Sequence, residues 1–182
     1  MKRTTTLVAK TTRAKSVSEF QKALNNLKGG TPVVVASSED GIEHAEKIPT
    51  GILALDKALG GGFPRGKIVE LFGPEASGKS AIATMFTGQA QKYGPCVYID
   101  VENALDPEKL ENSGVNLDEL LLAQPGSGEK TFDLLDEIIK IGDAACVVVD
   151  SVEGMVTEAE LNGDFGDSHV GLKARLMSRG LR

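Results

Sequence analysis

Four apolar runs, KIVELF at 67–72, CVYID at 96–100, LLLAQ at 120–124 and CVVVD at 146–150, punctuate this chain from residue 67 onward. Each has strand length and is apolar at nearly every position, not at alternate ones. Between them the apolar residues recur at helical spacing, predicting helices over about 79–92, 107–112 and 129–141. Continuously apolar strands joined by crossover helices make a mostly parallel sheet covered on both faces, an α/β architecture. Ligands of such sheets bind off the carboxyl ends of the strands. A separate helix is predicted ahead of this domain over 16–28. Ser16 and Glu19 have capping-box spacing, Val17, Phe20, Leu24 and Leu27 share a face, and Gly29-Gly30 ends it. PVVVAS, residues 32–37, reads as a short edge strand opened by proline, and the acidic stretch 38–47 as a loop. This helix and strand need a surface to pack on, either their own domain or a neighbouring subunit.

Composition changes the picture little. The 182 residues, 41% apolar and 25% charged, suit an ordinary globular domain with one buried core. No apolar run approaches the length of a membrane span, so no membrane role is expected. A net charge of -6 places any nucleic-acid contact on a local basic patch. The first fifteen residues carry Lys2, Arg3, Lys10, Arg13 and Lys15 without an acid and without the apolar stretch of a secretory signal, and they read as a flexible basic arm. Cys96 and Cys146 lie inside apolar runs with no Cys-x-x-Cys spacing, as small hydrophobes of a reduced, cytoplasmic compartment.

The chemistry is concentrated where the predicted strands end. Gly73, Pro74, Glu75, Ala76, Ser77, Gly78, Lys79 and Ser80 match G-x-x-x-x-G-K-[ST] between a predicted strand and a predicted helix. Such a loop aims backbone N–H groups at phosphate oxygens, and the helix N-terminus adds positive potential. Lys79 is placed to reach the β- and γ-phosphates of ATP, and the Ser80 hydroxyl to ligate Mg2+. Asp150, closing CVVVD, is the second metal-binding candidate, with Ser151 beside it. Glu102, just past CVYID, is either a base that activates water or a solvated loop carboxylate. Farther on, Asn162 to His169 forms a polar, glycine-rich loop ahead of a helix from about Gly171. Arg175, Arg179 and Arg182 are spaced to share one face of that helix, either a phosphate-backbone contact or a solvated surface. His169 reads as a loop polar residue.

In order along the chain, IPTGILALDKALGGGFPRGKIVELFGPEASGKS, YIDVENALDP, AQPGSGE, VVVDSVEGM and GDSHVGLKARLMS resemble the segments of the bacterial RecA recombinase family. The resemblance covers about 48–182. It implies a RecA-like P-loop NTPase core over 48–182, preceded by the arm at 1–15 and a helix–strand docking element at 16–47. It also implies an ATP- and Mg2+-dependent recombinase that forms a filament on single-stranded DNA and exchanges strands with a homologous duplex, hydrolysing ATP in a DNA-dependent way. Glu102 then corresponds to the catalytic glutamate and Asp106 to a contact of the adenine amino group. Gly163, Asp164, Phe165, Gly166, Asp167, Ser168, His169 and Val170, with Arg175 and Arg182, correspond to DNA-contacting positions. Residues 16–37 correspond to the element that docks on the adjacent protomer.

Three positions depart from the family pattern. Lys109 stands in place of an adenine-stacking tyrosine, Asn103 in place of a histidine, and Arg179 adds a charge. The chain also stops inside the last predicted helix, before the family's second DNA loop. The expectation is therefore an amino-terminal portion, a truncated or split form, with an incomplete sheet and feeble activity of its own. Two rival readings keep the fold: an ATPase of clock, helicase-loader or repair-accessory type, and a non-catalytic fragment that caps a filament.

Overall fold

The computed structural model describes residues 16–26, 31–37, 45–163 and 171–182, in two compact units, Met1–His44 and Ala45–Arg182. In the first unit, helix α1 spans Val17–Asn25, capped by the Ser16 side chain, which accepts from the Glu19 backbone N–H. The predicted end of this helix, 27–30, lies outside the described residues. The predicted strand at 32–37 does not form: 31–35 belong to no helix or strand, and 36–37 turn. Side chains of α1 supply the bonds a ladder would have made. Asn25 brackets Val33, accepting from its N–H at 2.7 Å and donating to its carbonyl at 3.0 Å, and Gln21 donates to the same carbonyl at 2.8 Å. No residue of α1 is buried, and Val17 and Phe20 stay largely exposed.

The second unit opens with a two-residue ribbon, β1 (Lys47–Ile48) antiparallel to β2 (Phe63–Pro64), enclosing helix α2 (Leu53–Leu59). Lys47 is thus a strand residue, not the end of a loop. Asp56 of α2 clamps the entry to this turn, its Oδ1 accepting from both the backbone N–H and the hydroxyl of Thr50 at 2.7 Å. Those bonds hold the Asp56 carboxyl below its ordinary pKa. At Gly62, φ is +125° and a Cβ would collide with the Ile48 carbonyl, so the chain closes here only on glycine.

A three-stranded parallel sheet follows, in the order β4 (Leu120–Ala123), β3 (Cys96–Asp100), β5 (Cys146–Asp150). Crossovers run through α4 (Pro107–Asn112) and α5 (Gly128–Ile141), while α3 (Lys79–Ala90) leads into β3. The parallel α/β architecture is as the apolar runs predicted. Central β3 is buried along its whole length, and Cys96 and Cys146 are register partners at its amino end. Burial pushes the Cys96 thiol up to about 11 and the Cys146 thiol to about 12, which suits their reading as small hydrophobes.

A second predicted strand is also absent. Residues 67–72 carry no ladder pairing, and Ile68 and Phe72 are 79% and 86% exposed. A strand is defined by its neighbour, and among the described residues no neighbour pairs with this segment. The last helices are α6 (Glu158–Asn162), opened by a full capping box of Thr157 and Glu160, and α7 (Leu172–Gly180). Helix α7 packs on α5.

Candidate nucleotide site

The loop 73–78 sits at the N-terminus of the twelve-residue helix α3, so the unpaired N–H groups of its first turn concentrate positive potential there. Gly78 caps the helix at φ +90° with open space where a Cβ would stand. Lys79 folds back over the loop and donates to the carbonyls of Gly73 at 3.0 Å and Pro74 at 2.8 Å. Among the described residues the Lys79 ammonium meets neutral carbonyls and no carboxylate, and such a cation suits an anion. Glu70, Phe72, Gly73, Pro74, Ser77 and Lys79 line the adjoining depression.

The ends of β3 and β5 place Asp100 and Asp150 side by side as register partners. Their tasks differ. Asp100 is 2% exposed and ties down the following loop. It accepts from the Ala104 and Leu105 N–H groups, both at 3.2 Å, and from Gln124 Nε2 at 3.1 Å. Asp150 is half-buried, and its Oδ2 accepts from the Tyr98 hydroxyl at 2.9 Å. Tyr98 is fully buried; desolvation first, then the charge of Asp150, keeps its phenol protonated far above the ordinary range. A phenol buried without a partner costs about 1–3 kcal/mol, so this bond is structurally required as well as local to the site.

Glu102 lies on the same edge. The Val101 N–H donates to the Asp150 carbonyl at 2.9 Å, joining the two strand ends, and the Ser151 hydroxyl donates to Glu102 Oε1 at 2.5 Å. The short turn Val152–Gly154 backs the carboxylate. A Cβ on Gly154 would come within 2.8 Å of Glu102 Cγ. Glu102 is otherwise exposed, free to meet water.

The remaining predicted residues are distributed less simply. Asp106 is the N-cap of α4, accepting from the Glu108 N–H at 3.1 Å, and pairs with Lys109 at 3.5 Å. Its carboxylate is therefore already used by the fold, and the departure at Lys109 has an immediate partner. Gly163 is exposed beyond α6, while 164–170, including Asp164, Phe165, Gly166, Asp167, Ser168, His169 and Val170, lie outside the described residues. Arg175 and Arg179 are exposed on α7, but the helix ends at Gly180. Arg182 stands past it and turns back to donate to the Ser178 carbonyl at 2.9 Å, so three arginines on one helical face becomes two. Sequence reasoning missed Tyr98, Asp100 and Gly154; a buried tyrosine's need for a hydrogen-bond partner is the one signal that could have flagged the first.

The set of an ammonium, a helix N-terminus, a hydroxyl at Ser80 and a carboxylate at Asp150 fits a Mg–nucleotide. Among the described residues no cluster of three His, Cys, Asp or Glu is arranged to hold a metal by itself. No described helix is long and apolar enough to cross a membrane.

Comparison with known proteins bears on the whole arrangement. Residues 15–182 match the family model for the RecA N-terminal domain. Protein RecA of Limosilactobacillus reuteri (strain DSM 20016) is 53% identical over 137 residues, 74% of this chain and 38% of the relative. Protein RecA of Paramagnetospirillum magneticum is 44% identical over 169 residues, 92% of this chain and 46% of the relative. Protein RecA of Laribacter hongkongensis is 42% identical over 177 residues, 96% and 50%. The chain thus spans half or less of the length of these curated relatives. By the family match over 15–182 and these identities, the chain belongs to the RecA family, over that family's N-terminal domain.

Proposed function

We propose that this chain is the nucleotide-binding portion of an ATP-driven DNA recombinase of homologous recombination and repair. The observation that carries the reading is the joining of Glu102 to the Asp150–Ser151 edge. In this reading the loop 73–80 binds the triphosphate, with Lys79 leaving its two loop carbonyls for the β- and γ-phosphates. Ser80 and Asp150 hold Mg2+, which, when bound, offsets the charge that develops on the phosphate oxygens. Glu102 orients the attacking water and accepts its proton, and the Ser151 hydroxyl keeps one carboxylate oxygen in place while the other faces the water. Asp106 serves the adenine edge from its N-cap position.

Single-stranded and homologous duplex DNA are the proposed partners. Residues 163–170 with Arg175 and Arg182 contact phosphates, and 16–37 docks on the next protomer of a filament. The exposed apolar side chains of Val17, Phe20 and Val33 to Val35 support the last assignment. The experiment is a titration of the chain with ATP and Mg2+ by calorimetry, alongside fluorescence anisotropy of a labelled single strand against salt. Magnesium-dependent ATP binding is expected. Neutralising Arg175 and Arg182 together is expected to lower the log–log salt slope by about 1.4, roughly 0.7 for each lost phosphate contact. A chain that binds no ATP at millimolar magnesium refutes the assignment.

A further inference from the structure

The two residues proposed to hold the metal, Ser80 and Asp150, sit on different elements, 70 positions apart in the chain. Each accepts from a buried hydroxyl. The Thr84 hydroxyl of α3 donates to the Ser80 carbonyl at 2.8 Å. The Tyr98 phenol donates to Asp150 Oδ2 at 2.9 Å. Thr84 is 7% exposed and Tyr98 fully buried, so water does not compete for these bonds. No other described donor reaches the Asp150 side chain. The phenol occupies Oδ2 and leaves Oδ1 for a metal or its water shell.

We propose that Tyr98 is a positioning residue for the metal end of this site, a strut that fixes the Asp150 carboxylate from the central strand β3. The inference rests on the nucleotide-site reading above and adds a residue to it. Its physical basis is the outer-partner effect: a carboxylate oriented by a second hydrogen bond binds its metal better than one free to rotate, and losing such a partner typically costs ten- to a hundredfold in metal affinity. Tyr98 does not itself touch the nucleotide or the metal. Phenylalanine at this position keeps the ring, the strand and the burial, and removes only the oxygen.

The test follows the magnesium dependence of a fluorescent ATP analogue binding to the 182-residue chain. It compares the parent, Tyr98→Phe, Asp150→Asn and the double variant, with a thermal melt of each. Tyr98→Phe is expected to raise the magnesium midpoint about tenfold while analogue affinity in excess chelator stays unchanged. Because Tyr98 acts through Asp150, its substitution should add nothing further in the Asp150→Asn background. A role confined to packing would lower the melting temperature without moving the magnesium midpoint. If Asp150→Asn shifts the midpoint and Tyr98→Phe leaves it within twofold of the parent, the strut is overturned and the site reading stands. A Tyr98 shift that persists undiminished in the Asp150→Asn background also overturns it. If Asp150→Asn itself leaves magnesium dependence unchanged, the metal assignment fails and the strut fails with it.

Discussion

The two halves of the candidate site are built to different standards. The acid half, at the ends of β3 and β5, is bolted together. Asp100 is buried under three donors, Asp150 is bonded by Tyr98, and Glu102 is held by Ser151 and backed by Gly154. The phosphate half rests on a segment that pairs with nothing among the described residues, and Phe72 at its end is 86% exposed. Its loop is shaped by helix α3 behind it and by Lys79 folded over it, not by a sheet in front. A pre-set acid edge can hold water and metal with little reorganisation, whereas a loop closed on its own lysine must open to admit a triphosphate.

The sharpest way to break this contrast is on the acid side. Glu102→Gln keeps shape and the Ser151 contact but is far too weak a base, so single-turnover hydrolysis should fall roughly 10²- to 10⁴-fold with ATP affinity retained. Unchanged turnover in a quench experiment would move the role to another acid. On the phosphate side the effect should appear in binding instead. Lys79→Ala removes the charge facing the β- and γ-phosphates, a loss of a few kcal/mol and about a hundredfold in affinity by calorimetry. Equal affinity in the variant would mean the triphosphate binds elsewhere.

Gly154→Ala separates the halves more finely. The added methyl forces Glu102 aside, and a displacement of that order should cost about tenfold in turnover while leaving the dissociation constant for ATP alone. Should both change together, the turn is shaping the whole site and not one carboxylate. The smallest expected effect concerns the amino end of the acid half. The folded-state thiols of Cys96 and Cys146 titrate near 11 and 12, against 9.0 for an ordinary cysteine. Raised folded values mean a stabilising contribution complete below pH 9 and lost as pH rises towards 12. Urea midpoints should therefore decline above pH 9, and less steeply in Cys96→Ala; a thiol reagent at pH 8 should label neither residue until the chain unfolds.

The same contrast explains what could be read from the amino-acid order. The place of the loop 73–78 at the start of a helix was legible because its signal is local: glycines, a lysine and a hydroxyl within eight residues. Strands β3, β4 and β5 were legible because apolar runs of that length, spaced by helices, have one economical arrangement. The run at 67–72 has the same composition and does not pair, because pairing depends on a neighbour and not on the run itself. The stretch 32–37 failed for the related reason that Asn25 and Gln21 had already taken Val33's polar groups. Tyr98 was invisible since its partner is 52 residues away. Arg182 was misplaced by the usual uncertainty in where a helix stops.

Helix α7 meets α5 through an exchange of absences. Leu176 of α7 presses into the space over Gly128, and Phe132 of α5 into the space over Gly180; at neither glycine is there room for a Cβ. The two contacts are four residues apart in each helix, one turn, and both sequences rise in the same direction, so the helices run parallel with a single allowed register. Sliding α7 by one residue would drive Leu176 or Phe132 against a side chain instead of a gap. Arg175 and Arg179 each precede a seam residue by one position, about 100° round the helix. The seam thus works as a keyway: by fixing how far α7 is turned, it keeps both guanidinium groups off the packed face and in solvent.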